Sequence, residues 1–539
     1  MARGKRQKVD DGGEEHALAV FQEGMVRCVV AAKGAKQPGS VPGFCNAKMR
    51  VNRDVSVLAV AAAAMERNER EPGLPLMKCI DAFTSSGILG LRWCVESAVL
   101  SGCELAVTMN DLSKDCAALA THNALANLSD EHSLDPKAVE PWGDSNRLVE
   151  LKIPGTTRGT THVTVKPAGV ALHDQPHDFI HLDPFGSAAP HLDAAVSRAP
   201  HLGVVAVTAT DTAALWGIYP AVARRHYGAE LDVGDNLGDG VNNLGGAAGQ
   251  ARRPPWFREL GVRVLLGAMA RAAARHDRGI VPLSCLASDH FVQVCVRVQR
   301  GAAAADRSCS DDAVGAFWHC DVCDVAACGG WGGDGGGGER GGWGGGEVGG
   351  SNPGGGGGGV SEGAARSSSR PCAHARSLGP GWLGPLGDVD FLRRMERLAE
   401  TSTRLARDRR SSAFASSSGV RVNPKPNPNP GAHEPLAEGV HPRTLKLIRR
   451  LIEEARGPPL FRNASRYTGA GVDPPPMDAV VDALRDAGYA RSSRTHFDAT
   501  GVRTDAPPEE IRRIVSEVAA RRVGERWRRA SEREGSPGE

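Results

Sequence analysis

The sequence predicts an α/β fold built on a mostly parallel, doubly wound sheet. Three observations carry that prediction. Apolar runs of strand length recur at LMKCIDAF (76–83), CELAVTMND (103–111) and DFIHLD (178–183), and each reaches an Asp at or near its end. Each is followed by a segment with helical apolar spacing: ILGLRWCVESAVLSG, SKDCAALATHNALANL and GSAAPHLDAAVSRA. A further apolar strand, GVVAVTAT (203–210), continues the alternation. Strands alternating with amphipathic helices bury both faces of a sheet, which is the parallel α/β solution.

Helix 256–276 and the apolar strand HFVQVCVRV (290–298) close this first block or begin a second, with a boundary set at 279/280. The second block covers 280–328 and 371–515 and reads as α+β. Within it, 474–507 gives a helix, a turn at Gly488 and polar extended segments. Residues 329–370 are dominated by Gly with Ser and scattered Arg; lacking apolar side chains to offset ordering entropy, they read as a disordered insertion. Residues 409–434, which include PKPNPNP, read as a linker or loop, residues 1–20 as a disordered basic start, and 516–539 as a basic helix and tail.

With 65 Lys and Arg against 63 Asp and Glu, net charge announces no polyanion partner by itself. Local patterning says more. Two helical stretches, 441–456 and 511–530, are rich in Arg and Lys and read either as solvated faces or as phosphate-contacting faces. Thirteen scattered cysteines, an odd number, make no disulfide framework, so a reducing intracellular compartment is expected. The longest apolar run, Val55 to Met65, is about half the ~20 residues a membrane span needs, and no membrane role is expected. The basic ARGKRQKVDD reads as a nuclear address or a solvated tail, with mitochondrion and plastid also open.

Ligands of doubly wound sheets sit at the carboxyl ends of the strands, where the strand order reverses. Asp81-Ala-Phe-Thr-Ser-Ser-Gly87 follows the first strand, and its Gly87 permits close backbone approach. It is not the GxGxxG turn that cradles a pyrophosphate, which argues against a nicotinamide-dependent oxidoreductase. Asp111 ends the second strand, placed to accept both hydroxyls of a ribose or to cap the next helix. Together these favour a nucleoside cofactor without a pyrophosphate, a description that S-adenosylmethionine fits. His181-Leu182-Asp183-Pro184-Phe185-Gly186 ends an apolar strand. An acidic oxygen beside a stiff turn and an aromatic ring suits methylation of an exocyclic amine, whose N–H groups need acceptors and whose base needs a stacking surface. Asp-Pro is also an ordinary turn that ends strands.

Many blocks then fall in one order: FCNAKMRVNRD (44–54), DAFTSSGILGLRW, NDLSKDCAALATHNALAN, DFIHLDPFGSAAPHLDAAV, VTATDTAALWG, RELGVRVLLG, VPLSCLASDHFVQVCVRV, GPGWLGPLGD, PLFRNASRY, AGYARSSRTHF and GVRTDAP. In content and order they resemble the tRNA guanine-26 N2-dimethyltransferase family over about residues 20–515. The resemblance implies a Rossmann-like class I methyltransferase domain over 21–279, a family-specific tRNA-binding C-terminal domain, S-adenosyl-L-methionine as cofactor and tRNA as partner, with no obligate protein partner. It implies methylation of the N2 amine of guanosine at tRNA position 26.

Carried over residue by residue, Asp183 and Phe185 match the family's catalytic motif and Phe44 an aromatic that clamps the target base. Arg53, Arg92 and Asp111 match cofactor-binding positions, with Asp111 on the ribose. Asp144 and Ser145 match the pair at the adenine, although PWGDSNRL around them departs from the family pattern. The loop bounded by Asp81 and Gly87 completes the expected cofactor site. His319-Cys320-Asp-Val-Cys323 resembles half of a zinc site. The second CxxC expected in many relatives is replaced by Cys328 and Cys372-Ala-His374, leaving Cys320, Cys323 and Cys372 as candidate ligands. A different amine-directed nucleic-acid methyltransferase and a non-catalytic RNA-binding protein remain the alternative readings.

Overall fold

The computed structural model describes residues 18–31, 41–128, 132–141, 147–150, 160–231, 253–320, 325–330, 375–417, 439–468 and 475–534. Sixteen strands are named here in chain order: β1 (Leu18–Glu23), β2 (Val26–Ala31), β3 (Met77–Asp81), β4 (Leu105–Asp111), β5 (Arg147–Glu150), β6 (Thr160–Val165), β7 (Phe179–Leu182), β8 (Val204–Ala209), β9 (Arg278–Ala287), β10 (Val292–Arg300), β11 (Val314–Cys320), β12 (Val325–Gly330), β13 (Arg376–Trp382), β14 (Arg462–Asn463), β15 (Ser493–Arg494) and β16 (Gly501–Arg503).

The main sheet has the order β5-β6-β4-β3-β7-β8-β10-β9. β6, β4, β3, β7 and β8 run parallel, whereas β5, β10 and β9 are each antiparallel to the strand beside them. The chain moves outward from β3 through β4 to β6, then returns to the other side of β3 for β7 and β8. The order therefore reverses at β3/β7, the crevice where such sheets bind ligands.

Side-chain alternation explains why the strands are apolar throughout. Phe179, Val204 and Ala206 enter one core with helix Arg50–Arg70, while Ile180, Val205 and Val207 enter the opposite core with helix Phe257–Ala274. Successive residues of one strand thus feed both faces. Helices Val389–Ser417 and Pro442–Glu454 cover the first face from outside by packing on helix Arg50–Arg70. A third, smaller core joins Tyr467, Val480, Leu484, Val502, Ile511 and Val515.

The expected boundary at 279/280 is corrected. β10 pairs with β8 from Val292↔Ala209 to Arg297↔Val204, so β9 and β10 complete the main sheet and the first unit runs through Arg300. Their unbroken apolar pattern is that of strands buried on both faces. The expected linker at 409–434 is also shortened, since helix Val389–Ser417 carries through its first nine residues. Gly329 and Gly330 belong to β12, and the remainder of the Gly-rich tract lies outside the described residues, as do 1–17 and the rest of 409–434. No described helix is long and apolar enough to cross a membrane.

A buried ionic cluster joins the second block to the first. Glu259, on helix Phe257–Ala274, meets Arg263 at 2.7 Å and Arg503 at 2.9 Å, and Arg503 reaches Glu454 at 3.1 Å. Burial works to raise the Glu259 carboxyl, but Arg503 and Arg263 hold it down at about 2. Truncating one member would leave an uncompensated buried charge, typically a loss of about 3–5 kcal/mol.

Candidate active site

Three strand ends build the site. Asp81 closes β3, Asp111 closes β4, and Asp183 follows β7, all at the carboxyl edge beside the β3/β7 reversal. The buried Asn110 amide ties these ends together, donating to Ala82 O at 3.2 Å and Lys166 O at 3.0 Å while accepting from Thr164 Oγ1 at 2.8 Å.

The loop after β3 turns sharply. Thr84 N donates to Asn110 O at 2.8 Å and Gly87 N to Thr84 O at 2.8 Å, with Ser85 and Gly87 at φ 49° and 81°. A Cβ on Gly87 would lie 3.1 Å from both Cα and Cβ of Ala120. Glycine is therefore required by its left-handed backbone and by the closeness of helix Lys114–Leu128.

Asp111 holds this loop as well as standing open to the cleft. Its Oδ2 accepts from Ser85 N and its Oδ1 from Ser113 N, both at 2.9 Å. Of the two alternatives the sequence offers, the helix cap falls to Ser113, whose Oγ accepts from Cys116 N at 3.3 Å, and Asp111 braces the loop while its carboxylate stays partly exposed. Burial raises this carboxyl, against the two backbone donors that lower it.

Asp183 is partly buried, and loss of solvation pushes its carboxyl up to about 6, with Asp81 adding to the rise and His181 and Arg53 opposing it. Beneath it, His181 is fully buried, its Nδ1 3.4 Å from Asp81 Oδ1 and its ring edge-on to Trp93. Phe185 stands 60% exposed on the following turn, an unusual position for so large an apolar side chain. Its ring meets that of Phe44 edge to face at 6.0 Å. Phe44 in turn is fixed to the β3 loop, since Ser85 Oγ donates to its carbonyl at 3.3 Å. The structure therefore brings Asp81, Gly87, Asp111, Asp183, Phe185 and Phe44 into one cleft wall.

The two arginines are placed differently. Arg53 donates to Glu23 Oε1 at 2.7 Å and to Asn46 O at 3.1 Å, and it lies close enough to Asp183 to lower that carboxyl. Arg92 has no exposed surface and is enclosed by Glu96, Asp54 and Glu23 at 2.7, 2.7 and 2.8 Å. Its expected contact with a ligand is replaced here by a structural ion cluster. Asp54 extends that cluster to the second block, accepting from His441 N at 2.8 Å and Thr444 Oγ1 at 2.9 Å. Sequence reading missed Glu23, Asp54 and Glu96. The two-residue Gly24-Met25 turn between alternating strands was the available signal for the hairpin that delivers Glu23.

Asp144 and Ser145 lie outside the described residues, as do Cys323 and Cys372. Cys320 ends β11 in a buried position. Cys328 pairs with Phe317, three residues before Cys320, so alternation puts Cys328 and Cys320 on opposite faces of the hairpin. Among the described residues, no group of three potential ligands gathers around a metal position.

The basic helices are partly neutralised within the chain. Arg449 meets Glu396 and Glu400 at 2.8 and 2.6 Å, Arg450 meets Glu453 at 2.7 Å, and Arg513 meets Glu510 and Glu517 at 2.6 Å each. For these residues the solvated-face reading is favoured over phosphate contact.

Chemically, the wall offers a carboxylate for a diol, a desolvated carboxylate for an amine and an exposed aromatic face, without a phosphate cradle. These features accord with known proteins. A family model described as N2,N2-dimethylguanosine tRNA methyltransferase matches residues 24–235 and 248–415. The chain is 30% identical over 510 residues to the human tRNA (guanine(27)-N(2))-dimethyltransferase, covering 89% of this chain and 61% of that protein. It is 27% identical to the tRNA (guanine(26)-N(2))-dimethyltransferase of Thermococcus kodakarensis, covering 93% of this chain and all of that one. Among solved structures, Trm1 from Pyrococcus horikoshii in complex with S-adenosyl-L-methionine aligns with a TM-score of 0.60 at 23% identity, over 93% of this chain and 100% of that chain, a likeness that establishes the fold. The chain spans about three-fifths of the length of the mammalian relatives it matches.

Proposed function

The chain belongs to the N2,N2-dimethylguanosine tRNA methyltransferase family, and on that premise we propose that it transfers methyl groups from S-adenosylmethionine to the exocyclic N2 of a guanosine in tRNA. The single observation that carries the reading is the turn Asp183-Pro184-Phe185. It presents a partly desolvated carboxyl and a 60% exposed aromatic side by side at the sheet's reversal point.

The site suits this cofactor on its own chemistry. Asp111 can accept the ribose hydroxyls, and the β3 loop from Asp81 to Gly87 forms the adjoining wall, with its backbone carrying no phosphate-binding turn. When bound, the cofactor supplies an activated methyl group on sulfonium. Asp183 then orients the amine by accepting its N–H groups and, as carboxylate, can take the proton released after transfer. Phe185 supplies the stacking surface that offsets withdrawal of the base from the tRNA stack, a cost of a few kcal/mol.

We place the target at position 26, as in the archaeal relative matched over its full length, with methylation at position 27, as the human relative is named, the competing outcome. A reducing intracellular compartment is proposed because every described cysteine is a free thiol. The test is incubation of the purified protein with S-adenosylmethionine and unmodified tRNA, followed by nucleoside mass spectrometry. N2-methylguanosine and N2,N2-dimethylguanosine should form with wild type and not with Asp183→Ala. A methylated base other than guanosine would move the protein to another amine-directed activity, and failure to bind S-adenosylmethionine would favour a non-catalytic RNA-binding role.

A further inference from the structure

The turn that carries Phe185 is exposed, yet it is tied down from below by residues that the methyl-transfer reading does not use. Gly186, at φ 91°, donates its N–H to Thr210 Oγ1 at 2.8 Å. Its carbonyl accepts from Thr210 N at 3.0 Å and Asp211 N at 3.2 Å. The next residue is held by a second tie. Ser187 Oγ lies 3.1 Å from the hydroxyl of Tyr227, which donates to the Asp211 carboxylate, whose two oxygens lie at 2.8 and 2.9 Å. Tyr227 is 1% exposed, so this phenol has no route to a ligand and its polar atom is spent wholly inside the protein. Asp211 also lies 3.5 Å from His226 Nδ1.

From this geometry we propose that Tyr227, acting with Asp211 and Thr210, is a positioning residue that fixes the Pro184–Ser187 turn and thereby the orientation of the Phe185 ring. An aromatic ring projecting into solvent gains no orientation from core packing. Its direction is set by the backbone that carries it, and here that backbone is anchored at two successive residues to the end of β8 and the helix Pro220–Tyr227. Buried polar networks of this sort restrict a structure to one arrangement when every member is satisfied. Ser187 gives the tie a further consequence, because its Oγ also accepts from Ala189 N at 3.3 Å at the start of helix Ala189–Arg198.

The kinetic part of the test rests on the methyl-transfer reading, and the exchange part does not. In Tyr227→Phe, amide hydrogen exchange in peptides covering 183–190 and 208–212 should accelerate, while peptides from β3 and β4 stay unchanged. Catalytic turnover should fall roughly 10- to 100-fold, the scale expected when a reacting group is misplaced by about an ångström. S-adenosylmethionine affinity should stay within about twofold, far inside the tenfold that 1.4 kcal/mol represents. Thr210→Val should behave like Tyr227→Phe, and Thr210→Ser, which keeps the hydroxyl, should restore most of the turnover. Ser187→Ala probes the same tie from the exposed side should Tyr227→Phe fold poorly. In a Phe185→Leu background, Tyr227→Phe should add almost no further loss, because both act through one ring. Fully additive penalties, or unchanged exchange at 183–190 in both Tyr227→Phe and Ser187→Ala, would overturn the proposal. If wild type methylates no tRNA, the activity reading fails and the exchange result still decides the positioning role.

Discussion

Phe44 and Phe185 meet edge to face with ring centroids 6.0 Å apart and planes inclined at 65°. A base sandwiched between parallel rings needs them about 7 Å apart, twice the stacking rise of ~3.4 Å. The pair is therefore closed against itself, and a base clamped between both rings, as the sequence resemblance implies, would require one ring to turn. Phe44 borders the segment before helix Arg50–Arg70, whereas Phe185 sits on the anchored turn. The Phe185 turn is thus tied at two successive residues, whereas the Phe44 backbone is held through its one carbonyl bond to Ser85.

Phe185→Ala should lower kcat/KM for tRNA by roughly 5- to 150-fold, the equivalent of about 1–3 kcal/mol of base stacking. Melting temperature should hardly change, because an exposed side chain contributes within about 0.5 kcal/mol. Phe44→Ala should cost less in turnover than Phe185→Ala. Steady-state kinetics with thermal melts on the same preparations would check both.

Asp183 gives the reaction a pH dependence of defined sign. Its carboxyl lies at about 6 in the folded protein against 3.8 for an ordinary aspartate. Between those values the folded state keeps a proton that the unfolded state has released, so this group's contribution to stability falls as pH rises from about 4 to 6. The carboxylate proposed to accept the amine hydrogens forms over the upper part of the same window. Activity should therefore climb through pH 6 and level off above it. Asp183→Asn should lose activity by on the order of 10²-fold or more, while its melting temperature exceeds that of wild type at pH 7 and matches it below pH 4. A melting difference that grows as pH falls would contradict the assignment.

Asp111→Ala removes the acceptor for Ser85 N and Ser113 N together with the proposed ribose contact. S-adenosylmethionine affinity should drop by roughly 10- to 150-fold, from about 1.5–3 kcal/mol for a charge-assisted bond, and melting temperature should fall at the same time. Calorimetry and thermal denaturation would separate the two losses. A stability loss with unchanged affinity would leave Asp111 as a loop brace alone.

Arg92→Ala should act on folding. The substitution leaves Asp54 and Glu96 buried without their guanidinium and Glu23 with Arg53 alone, with an expected cost of about 3–5 kcal/mol. Denaturant unfolding should show that loss even without cofactor. A variant of wild-type stability that binds S-adenosylmethionine weakly would restore the ligand role that the sequence resemblance implied.

Much of the site is legible in the sequence because it consists of strand ends. An apolar run closing in Asp81, Asn110-Asp111 or Asp183 marks both the sheet and the edge where a ligand is expected, and the structure places all of these along one carboxyl edge of the neighbouring strands β4, β3 and β7. What escapes is anything fixed by distant pairing. Arg92 looks like a surface arginine until Glu23, 69 residues away, closes over it through the β1–β2 hairpin. Tyr227 carries no motif, and its relation to Ser187 spans 40 residues. The sequence leaves the β9–β10 hairpin between two units because a strand buried on both faces reads the same in either neighbouring block, and only its pairing with β8 joins it to the main sheet.

The proposed reaction is directed at one amine of one nucleotide. The most direct measurement is methyl incorporation into tRNAs in which inosine, which lacks the exocyclic N2, replaces guanosine at position 26 or at position 27 in turn. Wild-type protein with S-adenosylmethionine should label the tRNA with guanosine at 26 and inosine at 27, and leave the reverse substrate unlabelled. Label in the reverse substrate alone would shift the target to position 27 with the chemistry intact. Equal label in a tRNA carrying inosine at both positions would contradict guanine N2 at this site as the methyl acceptor.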